Sequence, residues 1–208
     1  MKKIGIIDYE AGNLFSLENS LRYLKFNYII SDNKKDLNDC SHIILPGVGA
    51  FSAAINFLKK KKLDNFIKKI VIQGKPILGI CLGMQLFFET STEFGTHKGL
   101  NLIKGKVKKI KLNNTKIPVV GWFKIKTRKR SFIEKFNNEY VYLVHSFECM
   151  PKEKKVICGS YTLGKEKKII CAIQKDNIFA VQFHPEKSDL SGMNILKSFY
   201  DYKKLQKY

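Results

Sequence analysis

The feature that most restricts the fold is an alternation of short apolar runs with helix-period segments through the first part of the chain. Lys3–Asp8, Asn27–Ser31, His42–Pro46 and Pro76–Ile80 each read as a short buried strand. Asn13–Leu24 places Leu14, Leu17, Leu21 and Leu24 on one helical face. Phe51–Lys59, Leu63–Gln73 (with Gly74 as its stop) and Leu82–Glu89 also read as helices. Strands alternating with helices predict a parallel sheet covered on both faces.

After Glu89 the rhythm changes. Thr90–Gly99 reads as a polar loop. Ile103–Leu112, Pro118–Lys126, Tyr140–Phe147, Ile157–Tyr161, Ile169–Gln174 and Ile178–Phe183 read as strands, with Lys175-Asp176-Asn177 as a hairpin turn. Gly192–Leu205 reads as a closing amphipathic helix. The expectation is an α/β fold whose β-rich second half extends the same sheet, in one domain spanning residues 1–208.

Composition narrows the function classes. Hydrophobic residues at 44% and charged residues at 27% exclude wholesale disorder. No run approaches the ~20 apolar residues of a spanning helix. The opening MKKIGIIDYE stops being apolar at Asp8, too early for a secretory signal. A cytoplasmic protein without membrane contact is expected. The net charge of +20 invites a polyanion partner. Yet arginine occurs only at Arg22, Arg128 and Arg130, the lysines are spread over the whole chain, and no aromatic-interleaved basic motif accompanies them. The charge therefore reads as compositional bias, and no nucleic-acid partner is expected. Five cysteines at irregular spacing, without a CxxC pair, indicate neither a disulfide framework nor a metal site. Neither a dinucleotide nor a P-loop fingerprint is present, and no cofactor is expected.

One cysteine differs from the rest. Gly79-Ile80-Cys81-Leu82-Gly83 lies where a buried strand meets a helix, the arrangement of a nucleophile elbow. The turn is tight enough to require glycine on either side. The helix start favours a thiolate. The N–H of Leu82 is expected to be free for a developing oxyanion. A core cysteine between packing glycines would carry the same pentapeptide.

A thiol needs a base. His42 opens an apolar strand and reads as structural, and His97 reads as a solvated loop residue. His145, in Val144-His145-Ser146, is ambiguous. His184 ends a strand in Phe183-His184-Pro185-Glu186-Lys187, where proline enforces extended geometry. Residues two apart then face the same way, so Glu186 can orient the imidazole. An exposed strand end would look the same in isolation. Gly47, Val48 and Gly49, in Pro46-Gly47-Val48-Gly49, could supply a second oxyanion donor or form a plain strand-to-helix turn.

Taken together, Gly79–Gln85 and Phe183–Glu186 resemble the triad class of glutamine amidotransferases. Asp8-Tyr9-Glu10-Ala11-Gly12-Asn13-Leu14, Pro46–Phe51, Gly99–Val107 and Val181–Ser188 extend the resemblance, within that class, to the glutaminase subunits of imidazole glycerol phosphate synthase. The resemblance implies a flavodoxin-like core and hydrolysis of glutamine for a separate barrel-type cyclase subunit of histidine biosynthesis, in a heterodimer. It implies Cys81 as nucleophile, His184 as base and Glu186 as its orienter. It implies substrate contacts at Gln85, Ser146 and Phe147, and a mobile oxyanion strand at Gly47–Gly49. It places Trp122 and Lys187 toward the partner. Three positions depart from the family's usual pattern, where histidine, asparagine and tyrosine stand in place of Val119, Phe123 and Phe147. Paralogues that serve amidination of surface-polysaccharide sugars are the alternative these departures raise, and a peptidase on the same core is a further rival.

Overall fold

The computed structural model describes residues 2–10, 14–113 and 116–202. Expectations falling on Ala11–Asn13 and on the end of the closing helix at Leu205 lie outside the described residues.

The first part of the chain runs β1 (Ile4–Ile7), α1 (Phe15–Tyr23), β2 (Tyr28–Ser31), α2 (Lys34–Asn38), β3 (His42–Leu45), α3 (Phe51–Lys60), α4 (Leu63–Ile72), β4 (Ile77–Ile80) and α5 (Leu82–Leu86). Helix α2 escaped the periodicity. It is short, and its start is marked by Asn33, whose side chain accepts the Lys35 N–H at 2.9 Å. Short strands follow: β5 (Phe88–Ser91), β6 (His97–Lys98), β7 (Ile103–Lys109), β8 (Val119–Thr127), β9 (Tyr140–His145), β10 (Phe147–Pro151), β11 (Ile157–Leu163), β12 (Lys167–Lys175) and β13 (Ile178–Val181), before α6 (Asp189–Asp201).

The main sheet has the order β2-β1-β3-β4-β13-β12-β11-β8-β9. The β2, β1, β3, β4 and β13 strands are mutually parallel, and the rest antiparallel. Every residue of β1, β3, β4 and β13 is buried, as a strand covered on both faces requires. Alternate residues feed different cores. Ile43, Leu45 and Ile77 pack beneath α3 and α4 with Phe51, Leu58 and Ile67. Ile44, Leu78 and Phe179 pack with Leu17, Leu21 and Phe199 of α1 and α6. This is the period of two expressed as two layers.

Two expectations need correction. The second half does not simply extend this sheet: β10, β7, β5 and β6 form a separate four-stranded one. The run Tyr140–Phe147 breaks at Ser146. His145 pairs with Val119 in the first sheet, and Phe147 pairs with Lys109 in the second, so the chain changes sheets at one residue. Helix α5 also ends at Leu86, not Glu89, because Phe88–Ser91 pairs with β7, and Ser91 and His97 pair within the expected loop. Fully buried Phe87 and Phe88 suit either state, and tertiary pairing decides between them. No helix among the described residues is long and apolar enough to cross a membrane.

Candidate active site

The site forms where β4 and β13 end side by side. Val181 lies across from Ile80, and Cys81 N donates to Val181 O at 2.8 Å. Cys81 is held at φ 52°, ψ −106°. Such a backbone costs on the order of 1–3 kcal/mol and persists only where its surroundings enforce it. The two glycines explain the enforcement. A Cβ on Gly83 would stand 1.9 Å from Leu45 O, and one on Gly79 would meet Phe87 and the Gly83 backbone at 2.7–2.8 Å. Helix α5 is pressed onto the ends of β3 and β4, and the thiol is turned into a cavity of about 510 Å³ lined by Val48, Gly49, Gln85, Val144, Ser146 and His184, among others.

His184 follows β13 and is buried. Its N–H donates to Tyr142 O at 3.0 Å, and its carbonyl accepts the Ser188 hydroxyl at 2.7 Å. Pro185 opens a single 3₁₀ turn, Pro185–Lys187, which swings Glu186 back. The Glu186 carboxylate reaches His184 Nδ1 at 2.7 Å, with both side chains nearly excluded from water. Nε2 makes no completed hydrogen bond but lies within the influence of the Cys81 thiol. Burial by itself lowers the proton affinity of the ring. The charge of Cys81, with the hydrogen bond and charge of Glu186, outweighs burial and raises the His184 pKa to about 10. Cysteine, imidazole and carboxylate are thus assembled in the order that nucleophilic acyl chemistry needs.

The remaining expected residues divide. Gln85 is buried in the cavity wall and donates to Gln182 Oε1 at 3.1 Å. Ser146 and Phe147 line the cavity at the point where the chain changes sheets. The Leu82 N–H, expected to be free, is not: it donates to Gly47 O at 3.3 Å. Gly49 has φ +100°, and a Cβ there would meet no atom within 4 Å, so glycine is demanded by backbone conformation and not by space. Trp122 stands on the outer face of β8, 46% exposed and edge-on to Tyr142, and Lys187 is also exposed. Val119 is buried and Phe123 packs on Tyr161 at 4.9 Å, so both departures from the family pattern face the core, away from the outward row of Val120, Trp122 and Lys124. The ambiguous His145 lines the cavity, but both of its ring nitrogens are engaged within the protein. It is bonded to Phe147 O at 2.7 Å and Tyr161 Oη at 2.8 Å, and burial lowers its pKa to about 4.

Sequence reasoning missed three residues. Fully buried Gln182 places Nε2 3.5 Å from Cys81 Sγ. Its signal was available, two residues before His184 in an extended run. Glu93 and Lys109 also line the cavity, one of each charge, and neither stands in a local motif.

Known proteins resemble this chain over nearly its whole length. Residues 5–202 match the family Glutamine amidotransferase class-I. The chain is 44% identical over 201 residues to the imidazole glycerol phosphate synthase subunit HisH of Prochlorococcus marinus subsp. pastoris, covering 95% of this chain and 97% of that one. This chain belongs to the HisH branch of the class-I glutamine amidotransferases. The HisH subunit of Caldanaerobacter subterraneus subsp. tengcongensis is 45% identical, with 94% of this chain and 96% of that one covered. Both are named for imidazole glycerol phosphate synthase and neither for sugar modification. Among solved structures, PurLQS from Thermotoga maritima shares the amidotransferase fold at a TM-score of 0.73 and 20% identity, over 97% of this chain and 98% of that one. A further glutamine amidotransferase matches at a TM-score of 0.74 and 14% identity, over 94% and 98% of the two chains.

Proposed function

We propose that this chain, acting as one amidotransferase domain, hydrolyses glutamine with Cys81, His184 and Glu186 and passes the ammonia to a separate barrel-type cyclase. It is the glutaminase subunit of imidazole glycerol phosphate synthase, in histidine biosynthesis. The observation that carries the chemical reading is that His184, paired with buried Glu186, lines one cavity with a strained Cys81.

The steps follow from the chemistry. Cys81 sulfur attacks the side-chain amide carbon of glutamine, and the carbonyl oxygen becomes an oxyanion. The C–N bond breaks as His184 protonates the leaving nitrogen, which departs as ammonia. His184 then takes a proton from water, which attacks the thioester and releases glutamate. Glu186 keeps the imidazole oriented throughout. Glu93 and Lys109 carry the signs needed to meet the ammonium and carboxylate of an amino acid, next to Ser146 and Phe147.

The oxyanion needs donors, and the Leu82 N–H is occupied by Gly47 O. A peptide's C=O and N–H point in opposite directions. Rotating the Gly47–Val48 peptide would withdraw that carbonyl and present the Val48 N–H in its place, giving two donors. Rotation is cheap beside glycines, and binding of the synthase subunit over the Trp122 and Lys187 face is the trigger we assign. Ammonia must travel unprotonated, because ammonium has no lone pair, so a tight and sheltered contact is required. Replacing Cys81 with alanine tests the reading: glutamine hydrolysis in the presence of the cyclase should vanish with the fold intact. Residual turnover would remove Cys81 from the mechanism.

A further inference from the structure

Tyr9 lies directly behind the oxyanion strand. It follows β1, is 3% exposed, and donates its hydroxyl to Pro46 O at 2.5 Å. The Tyr9 hydroxyl oxygen stands 1.8 Å from where a Gly47 Cβ would be, and Leu82 Cβ lies 3.1 Å from that point. Two successive carbonyls are therefore each held by a hydrogen bond, Pro46 by Tyr9 and Gly47 by the Leu82 N–H. A peptide plane turns easily only when its neighbours can absorb the change in φ and ψ. Here the Tyr9 hydroxyl oxygen and Leu82 Cβ crowd the Gly47 end of the Gly47–Val48 plane, which leaves that end little room to turn. Burial, with a contribution from Cys81, keeps the phenol protonated far above its ordinary range, so the donor persists across working pH.

We propose that Tyr9 is a positioning residue that holds the Gly47–Val48 peptide in its resting orientation, so that breaking the Tyr9–Pro46 hydrogen bond is part of activation. The inference rests on the glutaminase reading above and adds a restraint that lies outside the triad. Within it, the resting and active forms are two orientations of one peptide. A ligand or partner favours the second only by opposing the bonds that fix the first.

The test is Tyr9→Phe in the full chain, which keeps the ring and removes the hydroxyl. Loss of one such hydrogen bond shifts a two-state balance on the order of fivefold. In the absence of the cyclase, kcat for glutamine hydrolysis should rise by about that factor, with KM within roughly twofold of wild type. The rate with saturating cyclase and its ligand should be unchanged, so the stimulation ratio falls. Hydrogen exchange at the Leu82 amide should accelerate by a similar factor. A purely structural Tyr9 would instead lower the melting temperature and depress both rates. An unchanged or reduced partner-free kcat, or an unchanged Leu82 exchange rate, in a folded variant would overturn the proposal. Tyr9→Leu provides a second variant lacking the hydroxyl and should move both readings in the same direction. If wild type hydrolyses no glutamine even with cyclase present, the glutaminase reading fails, while Leu82 exchange still reports whether Tyr9 restrains the peptide.

Discussion

The carbonyl of Gly47 accepts the N–H of Leu82, the residue that follows the candidate nucleophile. A donor suited to an oxyanion is thus spent inside the protein. The proposed switch then predicts a partner effect on turnover and not on affinity. An oxyanion donor is worth about 10²–10³ in rate. Adding the cyclase with its ligand should raise kcat for glutamine hydrolysis by about that factor, with KM changed much less. Steady-state kinetics with and without partner measure this, and a lone chain already at the full rate would contradict it.

Glu186 carries the anion that, with Cys81, keeps His184 protonated. Glu186→Gln preserves shape and removes charge. The His184 pKa should fall from about 10 toward the ordinary value of 6.5, since the imidazolium loses its partner while burial remains. Turnover should drop by about 10³-fold or more, as for the carboxylate of related triads. Titration of the His184 ring by NMR reads the first effect, and a glutaminase assay reads the second.

Lys109 meets the cavity on the strand that pairs with Phe147. It has no place in the triad. Lys109→Met should raise KM for glutamine about tenfold and leave partner-stimulated kcat near wild type, the mark of binding shared by ground and transition states. An unchanged KM would exclude Lys109 from substrate recognition.

Acid stability follows from two other histidines. His42 packs edge-on against Phe199, and burial lowers its pKa to about 4, as it does for His145. Both pKa values are depressed on folding, so both residues stabilise the fold above pH 6.5 and lose that contribution as pH falls toward 4. Each adds a slope of at most about 1.4 kcal/mol per pH unit within that window. His184 has the opposite sign: its contribution is full below 6.5 and fades as pH rises toward 10. Melting temperature should therefore fall steadily on acidification from pH 6.5 to 4. His42→Gln should make that fall shallower.

Much of the site is written locally. Gly79 and Gly83 announce a close approach around Cys81, and the contacts at Leu45 O and Phe87 bear that out. His184-Pro185-Glu186 announces a carboxylate turned back onto an imidazole, and the 2.7 Å contact is there. Buried strands such as Ile77–Ile80 announce a covered parallel sheet. These readings succeed because sterics between near neighbours and the period of apolar residues are properties of a short stretch of chain.

Other features exist only once the chain has folded. Gln182 touches Cys81 across 101 residues of sequence because β13 lies beside β4 in register. Val119 and Phe123 turn inward while Trp122 turns outward, which the β8 register decides. Ser146 becomes the crossing between two sheets. The Leu82 N–H, free by any local reading, is claimed by a carbonyl from another loop. Amino-acid order determined which groups were available and how their immediate backbone bends. Strand pairing and the orientation of single peptide planes, which depend on distant neighbours competing for the same hydrogen bonds, decided which of those groups meet and which are held in reserve.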